Sequence, residues 1–93
     1  MSWVYRRDRP IDSKRLAKVI LTLPGSVYRI KGFIDAVSEP EMRTLVQAVG
    51  LRSDFTPFDT WGDRARSTTL VIIASDDVDR DAIEAAIDSC TVA

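Results

Sequence analysis

The sequence predicts an α+β two-layer sandwich, in which a mainly antiparallel sheet of four to five strands carries two helices on one face. Two observations lead to this class. Short runs of β-branched and aromatic residues alternate with polar ones, and two other segments carry apolar residues at helical spacing. The predicted order is β-α-β-β-(β)-β-α, and the close spacing of the strands after the first helix favours antiparallel neighbours. With 93 residues, the chain is expected to form one domain over 1–93, with most of its 45% apolar residues used in packing.

The first strand and first helix come from the amino-terminal quarter. Residues 3–7 form a short aromatic and β-branched run, and Pro10 follows it, where no ladder donor is available. Asp12 or Ser13 is expected to cap the helix that begins there. Its apolar stripe has the spacing i, i+3, i+4, i+7 and consists of Leu16, Val19, Ile20 and Leu23. A Pro-Gly pair then ends the helix.

The segment 27–37 predicts a strand whose two faces differ in character. Alternation puts one set of side chains towards the core, namely Tyr28, Ile30, Ile34 and Ala36. The opposite set contains two cations beside an aromatic ring and consists of Arg29, Lys31, Phe33 and Asp35. A turn containing Pro40 leads to a strand at 43–49, so these two strands are expected to form a hairpin.

The remaining elements complete the sheet. Residues 50–59 predict a weak or edge strand, because Pro57 cannot donate a ladder hydrogen bond. A polar loop at 61–66 follows. Residues 68–74 are the most apolar β-branched run and are therefore expected at the centre of the sheet.

A final helix is expected to begin at Asp79, with Val78 and Ile83 placed for a hydrophobic staple. Its buried stripe is predicted to contain Ile83, Ala86, Ile87 and Cys90. Four carboxylates surround its start: Asp76, Asp77, Asp79 and Asp81. Because the glycine and the terminal glutamate of a calcium loop are missing, helix capping explains them better than a metal site does.

Composition argues against most catalytic chemistry. Histidine is absent and Cys90 is the single cysteine, so histidine bases, Cys-His pairs and the usual zinc sites each lack a member. We therefore expect no catalytic residue, no cofactor, no metal ligand and no enzymatic activity. A lone cysteine cannot form an intrachain disulfide, and neither a signal peptide nor a transmembrane run is evident. A cytoplasmic protein without a membrane partner is the expectation.

Charge is distributed unevenly along the chain. The net charge is −1, but residues 1–46 contain nine lysines or arginines against five acidic residues, and residues 47–93 contain four against nine. A fold that separates the two halves would present a basic surface to an acidic partner. The candidate interaction surface consists of Arg29, Lys31, Phe33, Trp61, Arg64 and Arg66. For Trp61, packing over a core edge and service as an interface anchor both remain open.

A nucleic-acid interface is the competing interpretation of the same basic strand. Lys31-Gly32-Phe33 begins like an RNA-binding strand signature, in which a cation and a glycine precede stacking aromatics. Asp35 takes the place of the second ring, and its carboxylate would repel phosphate. Binding of single-stranded RNA or of a small ligand by a free-standing module is therefore the alternative, and it is the less favoured one.

Several motifs, taken in order, resemble one family over essentially the full chain. They are Ser2-Trp3-Val4-Tyr5-Arg6-Arg7, Arg9-Pro10, Arg15-Leu16, Leu23-Pro24-Gly25, Tyr28-Arg29-Ile30-Lys31-Gly32-Phe33, Trp61 and Leu70-Val71-Ile72-Ile73. The chain resembles the C-terminal domain of the CobW-type P-loop GTPases, which are proposed to deliver or insert metals such as cobalt or zinc, including in cobalamin biosynthesis. The Arg-x-Lys-Gly-Phe strand, combined with the Arg-x-x-Arg-Pro opening, is the most specific part of the match.

The resemblance implies a role by association. In this family, GTP hydrolysis and metal capture belong to an N-terminal domain with a phosphate-binding loop and a Cys-x-Cys-Cys motif, and the present sequence has neither. It implies a non-catalytic accessory and protein-interaction domain. The implied partners are a CobW-type GTPase domain, in cis or in trans, and a metalloprotein or cobalamin-pathway client. Two family features are absent: an aromatic residue directly after Lys-Gly-Phe, where Ile34-Asp35 stands, and histidine-rich segments.

Overall fold

The computed structural model describes residues 1–92, which form a five-stranded sheet and two helices. The elements are β1 (Ser2–Arg7), α1 (Ser13–Thr22), β2 (Val27–Ile34), β3 (Met42–Val49), β4 (Arg52–Thr60), β5 (Thr68–Ala74) and α2 (Arg80–Asp88). The strand order is β1-β5-β2-β3-β4, and every neighbouring pair is antiparallel. The predicted α+β class, element order and β2–β3 hairpin are confirmed.

The two strand positions predicted from composition are also confirmed. β5 is paired on both sides, with β1 and with β2, as expected for the most apolar strand. β4 lies at the edge, where the missing donor of Pro57 costs little, and its ladder with β3 shifts register near this proline, between Arg43 and Thr44.

The core lies between one face of the sheet and the two helices. α1 contributes Leu16 and Ile20, and α2 contributes Ile83 and Ile87. The side chains of the sheet that complete this cluster are Trp3, Tyr5, Val27, Ile30, Ile34, Val46, Ala48, Leu70, Ile72 and Ala74. Because both helices pack on the same side, the opposite face of the sheet is left uncovered by the described residues.

Asp12, one of the two residues predicted to cap α1, and Asp79, the residue predicted for α2, cap the helices. The Asp12 carboxylate accepts hydrogen bonds from the backbone N–H groups of Lys14 and Arg15, and the Asp79 carboxylate accepts one from Ala82. These bonds satisfy donors that the first helical turn leaves free. Cys90 is fully buried, in agreement with its predicted place on the apolar stripe of α2.

β2 departs from the predicted alternation at both ends. Tyr28 was expected in the core but is 53% exposed, because a register shift between Val27 and Arg29 buries Val27 instead. Asp35 was expected on the outward face but is 5% exposed, because β2 ends at Ile34 and the chain turns inwards. Both expectations were wrong for the same reason, since alternation holds only while the ladder is regular.

Gly32 lies where β2 passes very close to β5. A Cβ atom built on it would be 2.1 Å from the backbone oxygen of Thr69 and 2.9 Å from the Cα atom of Leu70. Backbone atoms cannot move aside as a flexible side chain can. Glycine is therefore required at this position by the spacing of the two central strands.

Candidate docking surface on the open sheet face

The uncovered face of the sheet presents three rows of side chains that run across all five strands. Residues directly opposite one another on neighbouring strands share a face, so the register defines each row. The rows are Arg6-Thr69-Phe33-Leu45-Thr56, Val4-Val71-Lys31-Gln47-Asp54 and Ser2-Ile73-Arg29-Val49-Arg52. We call these fifteen residues the open face.

The charge of the open face is opposite in sign to that of the whole chain. It contains four cations (Arg6, Arg29, Lys31 and Arg52) and one carboxylate, Asp54, whereas the chain has a net charge of −1. Within residues 1–92, the only salt bridge of these four cations is the 3.4 Å contact between Arg6 and Asp8. Three cations are therefore available to an acidic partner.

An apolar trough runs along β5 through the open face. Val71 and Ile73 form its floor with 42% and 39% of their surfaces exposed, and Val4 of β1 borders it with 56% exposed. Arg29 and Lys31 line it on the β2 side, and the open trough has a volume of about 350 Å³. Exposed aliphatic side chains bordered by cations suit a partner that is both apolar and acidic.

Phe33 lies at one end of the open face, in a cluster that already occupies its ring. The guanidinium of Arg43 is 3.9 Å from the ring centroid, and the Phe58 ring lies 5.2 Å away at a tilt of 59°. Arg43 is itself held by two hydrogen bonds to Asp59, of 2.7 and 2.9 Å. The hydrogen bond from Arg43 also holds the pKa of Asp59 below its usual value. The side of Phe33 covered by Arg43 is therefore closed to a stacking base.

The loop that contains the other three candidate residues lies beyond this end of the sheet. Arg64 donates to the carboxylate of Asp59 and to the backbone oxygen of Thr60, so contacts connect it through Asp59 and Arg43 to Phe33. Arg66 donates two hydrogen bonds, of 2.8 and 3.2 Å, to the buried carboxylate of Asp35. Both arginines are still about half exposed, with side-chain fractions of 51% and 49%.

Trp61 is 8% exposed, so its ring packs against the molecule. Its indole N–H finds no acceptor among the described residues. The structure thus brings Arg29, Lys31 and Phe33 together on the open face, with Arg64 connected to its rim, and places the ring of Trp61 inside. Whether these residues contact a partner stays a prediction.

Of the fifteen residues of the open face, only Arg29, Lys31 and Phe33 belong to the candidate surface that the sequence predicts. Val4, Val71 and Ile73 were assigned only to strands, and Arg52 was not singled out at all. The alternation of β1 could have identified Val4. β5 is apolar on both faces, so its sequence alone could not show that one face is uncovered.

A second polar cluster joins β1 to α2 and has no counterpart in the sequence analysis. The Tyr5 hydroxyl donates to the Asp88 carboxylate at 2.7 Å, and Arg7 donates to the same carboxylate at 2.9 Å. Burial of Asp88 acts to raise its pKa, but these hydrogen bonds outweigh burial and leave the pKa below its usual value. Burial, together with the bond to Asp88, raises the pKa of Tyr5. This cluster lies on the helix side and supports the fold.

Two observations concern other kinds of site. Among residues 1–92, no group of three or more histidine, cysteine or carboxylate side chains is arranged to hold a metal ion. Neither helix in the described part of the chain has the length and apolar character that crossing a bilayer requires.

Comparisons with known proteins show which domain family and which solved structures the chain resembles. The family model for the cobalamin synthesis protein CobW C-terminal domain matches residues 1–91. A curated relative, the zinc chaperone CobW of Sinorhizobium sp, is 47% identical over 62 residues, which are 66% of this chain and 17% of the relative. The crystal structure of Zn(II)-bound YjiA GTPase from E. coli has a TM-score of 0.76 and 26% identity, covering 96% of this chain and 29% of that one.

A Zn(II)-bound triple mutant of YjiA GTPase has the same TM-score of 0.76, with 25% identity and the same coverage of 96% and 29%. The fold is thus shared with these structures. The chain spans less than a third of the length of each relative that it matches.

Proposed function

Because the chain belongs to the family of CobW C-terminal domains, we propose that it is a non-catalytic docking domain whose open face binds an acidic surface of a CobW-type GTPase domain, in cis or in trans. One observation carries this proposal: on the uncovered sheet face, an apolar trough is bordered by two cations, Arg29 and Lys31, that form no salt bridge among residues 1–92. In an acidic chain of this size, such a face differs from an ordinary solvated surface in both charge and apolar exposure.

Electrostatic complementarity supports this role. A basic patch directs an acidic partner to the correct orientation and speeds association. Binding also buries the apolar floor of the trough, which removes apolar surface from water and adds to the affinity. Arg29 and Lys31 are central in this scheme, because they lie on a middle strand and border the trough. One end of the surface is formed by Phe33, Arg64 and Arg66. The largely buried ring of Trp61 belongs to the loop that carries the two arginines.

The family context also suggests what docking accomplishes. A GTPase that delivers metal must change its contacts with each cycle, so we propose that the affinity of the open face depends on the nucleotide state of the GTPase domain. The matched relative is named a zinc chaperone, and the matched structures hold Zn(II). A metalloprotein or cobalamin-pathway client, reached through the GTPase, would be the final recipient.

Calorimetric titration tests the proposal. The 93-residue chain is titrated into a separately purified GTPase domain of a CobW-type protein, in its GTP-analogue, GDP and empty forms. Arg29→Glu with Lys31→Glu is expected to weaken binding by about tenfold or more, because both cations would become carboxylates facing an acidic surface. The matched control is Lys14→Glu with Lys18→Glu, which makes the same charge change on exposed positions of α1.

The control variant should bind like the parent chain. Equal weakening by both pairs would indicate a general charge effect and contradict the proposed surface. Unchanged affinity of a folded Arg29→Glu, Lys31→Glu variant would also contradict it. Tight binding of single-stranded RNA by the parent chain, falling steeply with salt, would favour the alternative function, although the covered side of Phe33 argues against stacking.

A further inference from the structure

We propose that the element received by the open face is an amphipathic α-helix with an apolar stripe and, beside it, two acidic residues at positions i and i+4. This inference rests on the proposed docking function and specifies the chemistry of the docked element. It follows from the width of the trough, the spacing of its cations and the sign of its charge.

The width of the trough matches a helix. β1, β5 and β2 are consecutive in the sheet, so β1 and β2 are separated by two strand spacings, or about 9.6 Å. An α-helix with its side chains is about 10–12 Å across. A helix laid along β5 would therefore place its apolar stripe on Val71 and Ile73, with Val4 on one side and Arg29 and Lys31 on the other.

The cations have the spacing of a helical pair. Arg29 and Lys31 lie two residues apart on the same face of β2, which separates their Cα atoms by about 6.8 Å. Residues i and i+4 of an α-helix are offset by about 6 Å along the axis. Two carboxylates at that spacing could each meet one cation while the helix stays aligned with the trough.

Charge favours this helix over a second copy of the chain. Two open faces brought together would place the cations of one copy (Arg29, Lys31 and Arg52) close to those of the other, with only Asp54 to offset them on each side. Like charges held close across an interface cost several kcal/mol. An extended strand is also a poorer fit, because it would pair with a sheet edge and leave the apolar floor uncovered.

The probe is a synthetic amphipathic peptide of about 18 residues, with a side-chain bridge on its solvent face because short free helices are marginal in water. The acidic peptide carries a leucine stripe with glutamates at i and i+4 beside it. The basic peptide is identical except for lysines at those two positions. Binding is measured by amide chemical shifts of the isotope-labelled 93-residue chain, which also locate the contact.

The acidic peptide should shift the amide signals around Val4, Val71 and Ile73. The double substitution Arg29→Glu with Lys31→Glu should weaken binding of this peptide by about tenfold or more. The basic peptide should bind that variant better than it binds the parent chain. The double substitution Val4→Thr with Val71→Thr keeps β-branched residues at both positions and leaves the charges unchanged. It should weaken binding of the acidic peptide several-fold, because apolar contact is lost.

Three results would overturn the helix proposal. They are no binding of the acidic peptide at millimolar concentration, chemical-shift changes confined to another surface, or peptide affinities that stay the same when the charges of the peptide or of residues 29 and 31 are reversed. The calorimetric titration separates this failure from failure of the docking function. If the GTPase domain binds through Arg29 and Lys31 while the peptides do not, the open face docks a different shape. If neither binds, the docking function itself is wrong.

Discussion

Gly32 shows how a single residue can set the geometry of the surface. It lies between Lys31 and Phe33 in β2, and its missing side chain lets this strand approach the backbone of β5. The cations of β2 are thereby brought to the border of the trough on β5. The glycine that looked like part of an RNA-binding signature is explained by strand packing.

Gly32→Ala is expected to lower the free energy of unfolding by about 1–3 kcal/mol or more, because overpacking against backbone forces two strands apart. Urea denaturation measures the change. Gly25→Ala is the matched control, since a Cβ atom there would meet nothing within 4 Å. Similar stability of the two variants would contradict the close approach of β2 and β5.

At the scale of elements, β1 and α2 are tied by a polar contact as well as by the core. Tyr5 is fully buried, yet its hydroxyl reaches Asp88, the last residue of α2. Arg7 holds the same carboxylate and places its guanidinium 4.4 Å from the Tyr5 ring centroid. The first strand and the last helix are therefore joined by a network whose strength depends on protonation.

Tyr5→Phe is expected to cost about 0.5–1.5 kcal/mol of stability through the lost hydrogen bond. The pKa of Tyr5 is raised above its ordinary value of 10.0, so the folded protein holds the phenol proton more tightly than the unfolded chain. This stabilisation is fully present below pH 10 and is lost as the pH rises further. Urea denaturation between about pH 8 and 11 should show a steeper alkaline loss for the parent than for Tyr5→Phe.

Tyr28→Phe is the control for this series, because Tyr28 is 53% exposed. It should keep the alkaline dependence of the parent. A Tyr5→Phe variant whose stability falls with pH as steeply as that of the parent would show that the phenol proton is not held by the fold.

The elements were predictable where a regular pattern lasts, and not where it breaks. α1, α2 and β5 follow their apolar spacing, and Asp79 caps α2 at the residue that its sequence indicates. Tyr28 and Asp35 were placed on the wrong faces, because a bulge and an early strand end depend on the neighbouring strand. Arg29 and Lys31 were placed correctly within β2, whereas the trough needs β1 and β5 beside it, which only the strand order shows.

At the scale of the whole molecule, the charge asymmetry of the sequence becomes an asymmetry of surfaces. The open face is basic, whereas four exposed aspartates, Asp76, Asp77, Asp79 and Asp81, lie before and within the first turn of α2. The acidic charge of the second half of the chain is thus partly gathered at one helix start. A chain of net charge −1 can therefore still attract an acidic partner to one side.

Salt concentration is expected to affect the affinity of docking strongly and the stability of the fold only slightly. Raising sodium chloride from about 0.05 to 0.5 M should weaken binding of the GTPase domain by about tenfold, mostly through slower association, because ions screen exposed charges. The unfolding midpoint in urea should change little, because an apolar core is the main source of stability. Stopped-flow association and equilibrium denaturation test the two halves of this expectation. Association rates that do not respond to salt would contradict electrostatic docking through the open face.

The position of β5 also governs when the protein can assemble during its synthesis. β1 is made before the other four strands, but among residues 1–92 it pairs only with β5, which emerges after residue 67. The β2–β3–β4 meander can form while translation continues, since its pairings are local. β1 must wait for a partner more than sixty residues away. The trough, built on β5, is therefore completed only after residue 74 has left the ribosome, so a shorter nascent chain has no complete open face to offer a partner.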